Sequence, residues 1–204
     1  MSNSVIYSYF GVNNPNYAIQ IYSGNYIVSD YGNGRIIELD SMLSGIIRSH
    51  SVSGVSFFDY SEENETLLVS YEDNDLIQEI TWSDIDIGTV IWQSTISLNS
   101  PHSATYKQED SSKIVIADTG NNRISIYDRN NNEYIFISRY NINSGDVYPP
   151  QISMLYRPYI ARQYSNGNIC IVEKEGRPIN FSIIESSSSS SSSSMDSSSS
   201  SSST

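Results

Sequence analysis

The sequence predicts an all-β protein built from repeated groups of short strands, and three observations support this fold class. The first is composition, since 204 residues include 16 tyrosines together with many asparagines and serines. Tyr, Ile, Val and Thr fit pleated strands, whereas Asn, Gly, Ser and Asp fit the turns between them. The second is that no stretch has a convincing helical period. The third is a strand-turn-strand pattern that recurs along the chain.

The clearest local element is a β-hairpin predicted over residues 114–128. Two short apolar runs flank the connection Asp-Thr-Gly-Asn-Asn-Arg, whose residues tolerate a positive φ and favour tight turns. The chain repeats the pattern earlier, over residues 27–40. Six positions match at one constant offset: Asp30, Gly32, Asn33, Arg35, Ile36 and Asp40 correspond to Asp118, Gly120, Asn121, Arg123, Ile124 and Asp128.

Working outward from these two hairpins divides the chain into four units. A Pro-x-x-Ala sequence precedes each matched hairpin, at residues 15–18 and 101–104, and a third copy begins at Pro158. A weaker copy begins at Gly54. We therefore expect the units to start at positions 15, 54, 101 and 158.

Each unit is predicted to hold several short strands rather than a strand and a helix. In the first unit they span residues 16–22, 25–30, 35–40 and 45–52. In the second they span residues 54–60, 66–71, 75–82 and 88–96. In the third they span residues 102–107, 113–118, 123–128 and 133–140. The fourth unit supplies strands at 159–164, 168–173 and 178–184 and lacks its last strand.

Radial repetition of a four-stranded unit of about 40 to 50 residues is typical of a β-propeller, in which each unit is one blade. The predicted blades cover about residues 11–53, 54–98, 99–141 and 157–185. Residues 4–10 are expected to pair as the outer strand of the last blade, which would close the ring and remove an exposed edge. Four blades are few, so two alternatives stay open: a half-ring completed by association, or an arc of a longer protein.

One folded domain is expected over residues 1–185, followed by a low-complexity tail or linker over residues 186–204. The tail is serine interrupted only by Met195 and Asp196 before Thr204. Such a tract cannot bury enough apolar surface to offset chain entropy, so we expect it to be disordered.

An irregular insertion over residues 141–157 separates the third and fourth units. It carries Tyr148, Met154 and Tyr156, which are candidate binding residues because tyrosine-rich loops contact partners at a low entropic cost. The alternative is that these side chains only hold the loop against the fourth blade.

The third unit resembles an NHL repeat, the blade of NHL-type β-propellers. The resemblance comes from Pro-x-x-Ala, a hydrophobic strand, and the turn from Asp118 to Arg123. The first unit resembles the same pattern through the turn from Asp30 to Arg35, while the other two keep mainly the strand rhythm. The resemblance implies a propeller, but members of the family serve as scaffolds, as ligand or RNA platforms and, in a minority, as enzymes.

The repeated polar residues of the two turns are interpreted as structural. The aspartates can accept hydrogen bonds from turn amides, and the Gly and Asn positions suit a left-handed backbone. The arginines can pair with acidic residues of the same or the next blade. This interpretation covers Asp30, Asn33, Arg35, Asp118, Asn121 and Arg123.

Charge and hydropathy narrow the range of partners. A formal charge of −12 with only 11 Lys and Arg argues against nucleic acid and disfavours anionic membrane surfaces. No apolar run of about 18 residues is present to span a bilayer, and the start of the chain does not have a signal-peptide pattern. We expect a soluble protein or a component of a viral or cell-surface assembly, with a protein or glycan partner or a second copy of itself.

Few residues could support catalysis. Two histidines and one cysteine are too few for the common zinc sites, the acidic turn at residues 72–75 does not have calcium-loop spacing, and no cofactor motif occurs. We therefore predict no metal and no cofactor.

His102 is the one weak catalytic candidate, because it follows Pro101 at the start of an innermost strand, near a propeller's channel. The sequence around it also resembles blades of arylsulfotransferase-like propellers, where a histidine near the axis acts as a catalyst. That resemblance implies a general base or nucleophile, whereas the alternative is a histidine that only lines a turn or the channel. The sequence thus favours a non-enzymatic scaffold or interaction module over an arylsulfotransferase-like or lactonase-like enzyme.

Overall fold

The computed structural model describes residues 8–139, 157–164, 168–174 and 178–182. These residues form four antiparallel sheets, three with four strands and one with three, and within each sheet the strand order follows the chain. Such meanders arise because short turns join neighbouring strands of alternating direction. The fold is therefore all-β, as predicted.

Sheet 1 consists of β1 (Tyr17–Gln20), β2 (Tyr26–Asp30), β3 (Arg35–Leu39) and β4 (Ile46–Ser51). Sheet 2 consists of β5 (Val55–Ser61), β6 (Thr66–Tyr71), β7 (Leu76–Trp82) and β8 (Ile87–Gln93). Sheet 3 consists of β9 (Pro101–Lys107), β10 (Asp110–Asp118), β11 (Arg123–Asp128) and β12 (Glu133–Arg139). Sheet 4 consists of β13 (Pro158–Gln163), β14 (Asn168–Glu173) and β15 (Pro178–Ser182).

All fifteen strands predicted within the four units coincide with a strand of the described structure, with ends that differ by a few residues. The largest differences are three residues each: β10 begins at Asp110 rather than at residue 113, with a register shift before Ile114, and β8 ends at Gln93 rather than at residue 96. The turns between the second and third strands of sheets 1, 2 and 3 are single 3-10 turns, at Tyr31–Asn33, Glu72–Asn74 and Thr119–Asn121.

The strand register corrects the predicted start of the second unit by one residue. Val55, and not Gly54, pairs with Tyr71 at the end of the neighbouring strand, as Pro101 pairs with Asp118 in sheet 3. The predicted start was one residue early because Gly54 is the left-handed residue before the strand, while Val55 takes the position of the proline.

A residue with a left-handed backbone conformation precedes the first strand of every sheet, which explains why a glycine occurs at position 54. The four positions are Asn14 (φ 47°), Gly54 (φ 76°), Ser100 (φ 46°) and Arg157 (φ 52°). Only glycine adopts such a φ without steric strain, while Asn tolerates it better than most residues. The chain therefore turns in the same way each time it enters a new sheet.

The innermost strands β5, β9 and β13 share a β-bulge at their second residue. The register skips Ser56, His102 and Tyr159, so each of these residues has no direct partner in the neighbouring strand. A bulge bends the strand and re-aims the side chain. These three side chains consequently lie at one end of the innermost strands, beside the turns.

Consecutive sheets pack face to face through three apolar clusters, whose burial supplies most of the driving force for folding. Sheets 1 and 2 share Ile27, Ile36, Val55, Phe58, Leu67, Val69, Ile80 and Trp82. Sheets 2 and 3 share Leu68, Ile77, Ala104, Ile114, Ile116 and Tyr127. Sheets 3 and 4 share Val115, Ala117, Ile124, Ile126, Ala161, Ile169 and Ile171.

Polar contacts also cross these interfaces. Buried hydroxyl groups donate to backbone oxygens of the next sheet, from Ser29 to Val55 (2.9 Å) and from Thr105 to Ala161 (3.0 Å). These hydrogen bonds satisfy polar groups in the interior and fix the offset between neighbouring sheets.

Several predicted features lie outside the described residues: the tail over residues 186–204 and the candidate binding residues Tyr148, Met154 and Tyr156. The predicted outer strand at residues 4–10 lies mostly outside them too, and residues 8–10 are described but are not in a strand. Within the part of the chain that the structure describes, no helix has the length and apolar character needed to cross a membrane.

Candidate functional site

The turn after β10 is organised around the buried carboxylate of Asp118. This carboxylate accepts hydrogen bonds from Asn121 Nδ2 (2.9 Å), Arg123 Nε (2.6 Å) and the backbone N–H of Asn99 (2.8 Å). The Arg123 guanidinium also donates to the Ser97 oxygen at 2.7 Å. We call this arrangement the aspartate clasp, because it ties the turn to the linker that enters the same sheet.

Sheet 1 repeats the aspartate clasp around Asp30. Its carboxylate accepts from Asn33 Nδ2 (2.8 Å), Arg35 Nε (2.7 Å) and the backbone N–H of Asn13 (2.7 Å). Burial opposes ionisation of Asp30, but these hydrogen bonds together outweigh it, and the pKa of the carboxyl is lowered. The structure therefore brings all six predicted turn residues together in two matching groups.

Glycine is required in the aspartate clasp because two backbones approach closely. The Gly120 N–H donates to the Asn99 oxygen at 2.8 Å, and a Cβ at Gly120 would lie 2.7 Å from that oxygen. Gly32 has the same relationship to Asn13 in sheet 1.

The sequence did not single out the two linker asparagines that take part in the clasps. Asn13 and Asn99 each stand two residues before the proline of Pro-x-x-Ala, so the signal was an Asn-x-Pro extension of a motif already recognised.

Sheet 2 has no clasp, because Tyr71 occupies the position of the aspartate. Its acidic turn forms other contacts, in which Asp75 is left-handed (φ 54°) and accepts from the Ser100 N–H at 2.6 Å. Tyr31 donates its hydroxyl to Asp73 at 3.1 Å. Among the described residues, no group of three or more His, Cys, Asp and Glu side chains is placed to hold a metal ion.

His102 lies at the end of the innermost strands beside the turns, and it is only 3% exposed. Its Nδ1 lies 2.9 Å from the Tyr159 backbone oxygen, and its ring stacks on the Tyr159 ring with centroids 3.2 Å apart. Because a carbonyl oxygen only accepts, Nδ1 carries the proton and Nε2 does not. Burial lowers the pKa of His102 to about 4, so the imidazole is neutral at physiological pH.

The other nitrogen of His102 faces an acidic side chain. Nε2 lies 4.0 Å from Glu72 Oε2, which is beyond hydrogen-bond distance, and Nε2 is buried without a hydrogen-bond partner in the described structure. Burial raises the pKa of Glu72. The His102 side chain is therefore buried, whereas 28% of the Glu72 side chain is exposed.

An ion pair joins Asp59 of β5 to Arg162 of β13, two sheets apart. The two residues have equivalent registers, since Asp59 pairs with Leu68 and Arg162 with Cys170, each three residues before the end of its neighbouring strand. The other Asp59 oxygen accepts from the Tyr106 N–H at 3.0 Å, so three innermost strands meet at this carboxylate. Burial raises the pKa of Asp59, and Arg162 offsets part of that effect.

A cavity of about 280 Å³ opens beside this ion pair. It lies at the end of β5, β9 and β13 opposite to His102, and its lining includes Asp59, Tyr60, Tyr106 and Arg162. No local sequence pattern marks it, because its walls come from three separate parts of the chain.

Comparison with known proteins identifies the fold. No protein-family model matches the sequence, and no curated protein matches it. The structure is similar to hydrazine synthase from Kuenenia stuttgartiensis, with a TM-score of 0.58 and 11% identity over 85% of this chain and 45% of that chain. It is similar to the β-propeller domain of Cps50 (Swd1) from Myceliophteria thermophila, with a TM-score of 0.59 and 12% identity over 83% of this chain and 54% of that chain.

A third similar structure is virginiamycin B lyase from Staphylococcus aureus, with a TM-score of 0.53 and 16% identity over 86% of this chain and 58% of that chain. The chain thus spans about half the length of the solved structures it matches. Similarity at such low identity carries information about the fold alone, and these proteins include both enzymes and a domain described only as a propeller. The comparisons confirm the predicted fold class: an all-β, propeller-type arrangement of four antiparallel sheets.

Proposed function

We propose that this chain is an NHL-like β-propeller that works as a non-catalytic structural or interaction module. The observation that carries the proposal is the state of His102, the only catalytic candidate that the sequence offered. A general base works best with a pKa near the operating pH and within hydrogen-bond reach of its substrate. His102 has a pKa of about 4, and its ring is buried under Tyr159.

The aspartate clasps support the NHL-like assignment. The matched acidic, amide and basic residues of the two turns form hydrogen bonds within their own sheet or with the linker that enters it: Asp30, Asn33 and Arg35 in sheet 1, and Asp118, Asn121 and Arg123 in sheet 3. They hold turns and linkers in place, so they are scaffold residues in this proposal.

The ion pair between Asp59 and Arg162 supports a four-bladed ring. It connects sheet 2 to sheet 4, and such contact requires the row of sheets to curve tightly enough for opposite innermost strands to meet. We propose that sheet 4 follows round to sheet 1 and closes the ring. A solution mass equal to one chain supports closure within the chain, whereas an obligate dimer would favour the half-ring alternative.

The partner in this proposal is a protein or a glycan, in a viral or cell-surface assembly. Nucleic acid is disfavoured by the formal charge of −12, since phosphate binding requires clustered cations.

The test compares the full chain with His102→Ala, and with His50→Ala as the matched control. Sulfate transfer, ester hydrolysis and lactone hydrolysis are measured for each, and we expect no turnover above background. Turnover by the wild type that is lost in His102→Ala and kept in His50→Ala would overturn the proposal. Binding to protein and glycan arrays is measured in parallel, and saturable binding is the expected result.

A propeller enzyme is the second candidate, and one observation favours it. The unprotonated Nε2 of His102 has no hydrogen-bond partner in the described structure and points towards Glu72. An opening of the Tyr159 stack would expose this nitrogen as a base or nucleophile. The same turnover measurements decide between the two candidates.

A further inference from the structure

We infer that the cavity beside Asp59 and Arg162 is a binding site for a neutral, hydroxyl-rich ligand of the size of one sugar unit. The inference deepens the proposed function and rests on it, since it gives the non-catalytic module a class of ligand. The site lies at the opposite end of the innermost strands from His102, so it can be altered without touching that residue.

The size of the cavity sets the scale of the ligand. A volume of about 280 Å³ corresponds to about nine water molecules at the density of the liquid. Drug-sized ligands usually occupy larger pockets, from about 300 to 1,000 Å³. A single pyranose ring with its hydroxyl groups is of the right size, whereas a folded segment of another protein is not.

The charges around the cavity favour a neutral ligand. Two acidic residues, Asp59 and Glu109, and two basic residues, Lys107 and Arg162, line it, so their formal charges cancel. An anion would be repelled by the net charge of the chain, and a cation would meet Arg162, which is the more exposed member of the ion pair. Hydroxyl groups can both donate and accept hydrogen bonds, so they can pair with the acidic and the basic side chains of the wall.

The polar groups of the wall are already oriented. Asp59 is held between the Arg162 guanidinium and the Tyr106 N–H, while 43% of the Arg162 side chain remains exposed. Because Arg162 lines the cavity, the exposed part of its side chain can donate to a ligand oxygen. Fixed donors and acceptors lower the entropic cost of binding.

Tyr106 is one of the residues that line the cavity, and its side chain is held in place by its neighbours. Its hydroxyl donates to Glu79 Oε1 at 2.7 Å, and the Arg129 guanidinium lies 5.6 Å from the centre of its ring. Glu79 is itself buried and accepts from Thr66 at 2.9 Å. An immobile tyrosine ring beside polar side chains suits the mixed apolar and polar faces of a sugar.

The experiment uses the full chain, saturation-transfer NMR and isothermal calorimetry. The probes are glucose, galactose, mannose and N-acetylglucosamine as neutral sugars, with glucosamine and glucuronic acid as the cationic and anionic counterparts. We expect saturable, millimolar binding of at least one neutral sugar and weaker binding of the two charged ones.

Ser61→Trp fills the cavity and should weaken the binding at least tenfold, while Ser41→Trp, at an exposed position outside it, should leave the binding unchanged. Asp59→Asn keeps the shape of the wall, alters its charge, and provides a second variant if Ser61→Trp does not fold by circular dichroism.

Three outcomes would overturn the inference: no saturable binding of any neutral sugar, preference for a charged sugar, or binding that is the same in the wild type and both cavity variants. The proposed function fails separately. If a bound sugar is chemically converted, the proposed non-catalytic function is wrong. The inferred binding site is still supported in that case if Ser61→Trp abolishes both binding and conversion.

Discussion

Asp59 and Arg162 form an ion pair although 103 positions separate them in the chain and they belong to sheets that are not consecutive. The same register position in sheets 2 and 4 thus carries opposite charges that meet at the innermost strands. Arg162 is substantially exposed, so solvent screens the attraction, while Asp59 is mostly buried. The balance between burial and pairing makes Asp59 sensitive to pH.

Asp59→Asn should remove a pH-dependent contribution to stability. Burial raises the pKa of Asp59 above its ordinary value, so the folded state binds the proton more tightly than the unfolded state. The contribution is complete below the unfolded pKa, near 3.8, and is lost as pH rises through the folded pKa. The unfolding free energy of the wild type minus that of Asp59→Asn should therefore fall from pH 4 to pH 7, as measured by urea denaturation. An increase would mean that the attraction to Arg162 outweighs burial.

His102 should titrate well below an ordinary histidine. The pKa of His102 is about 4 in the folded state, against an ordinary histidine pKa of 6.5, so its contribution to stability is complete above pH 6.5 and is lost as pH falls towards 4. The full loss is on the order of 3 kcal/mol. The chain has only two histidines, so comparing the ring-proton NMR signals of the wild type with those of His50→Gln assigns the signals of both. A midpoint near 6.5 for His102 would contradict the buried, stacked geometry.

Asp118→Ala should destabilise the protein more than Asp30→Ala. Both substitutions remove the carboxylate of a clasp, but the Arg123 side chain is 9% exposed and the Arg35 side chain 27% exposed. A buried cation left without its partner is destabilising by about 3–5 kcal/mol, and water relieves part of this penalty at the more exposed site. Urea denaturation measures both losses.

The double variant Asp118→Ala with Arg123→Leu is the control for this mechanism. It removes the stranded cation, so part of the lost stability should return. Equal losses for Asp118→Ala and Asp30→Ala, with no recovery in the double variant, would argue that the carboxylate acts only through turn hydrogen bonds.

Gly120→Ala should weaken the fold by about 1–3 kcal/mol, since overpacking against rigid backbone forces a shift. The added Cβ would lie 2.7 Å from the Asn99 backbone oxygen. Gly45→Ala is the matched control, because its Cβ would approach nothing closer than 3.8 Å. Thermal unfolding of the two variants distinguishes the effect of contact from the general effect of replacing a glycine. A Gly120→Ala variant as stable as Gly45→Ala would show that the Asn99 linker moves away freely.

The sequence was informative wherever structure is local. Alternating apolar residues and turn residues located every strand of the described structure, and the match between Asp30 and Asp118 identified two equivalent turns before any contact was known. The prediction slipped by one residue at Gly54, where a left-handed position was mistaken for the proline position. A glycine and a proline both interrupt strands, but they do so for different backbone reasons.

The candidate sites could be predicted only in part, because they depend on long-range contacts. The position of His102 near the start of an innermost strand followed from the sequence, whereas its burial depends on Tyr159 in another sheet. The cavity beside Asp59 is formed by three strands that converge in the fold, and the sequence around Asp59 or Arg162 does not indicate that the two residues meet. Whether Tyr148, Met154 and Tyr156 bind a partner stays a prediction.

The aspartate of the clasp recurs in every second sheet, at Asp30 and Asp118, while Tyr71 and Glu173 occupy the same register position in the sheets between them. The faithful unit of repetition is therefore a pair of blades rather than one blade. At this position sheets 1 and 3 are alike, and sheets 2 and 4 differ from them. Asp59 and Arg162 occupy the same register position in sheets 2 and 4, so their opposite charges mark a place where the first strands of two alternate sheets differ and attract each other.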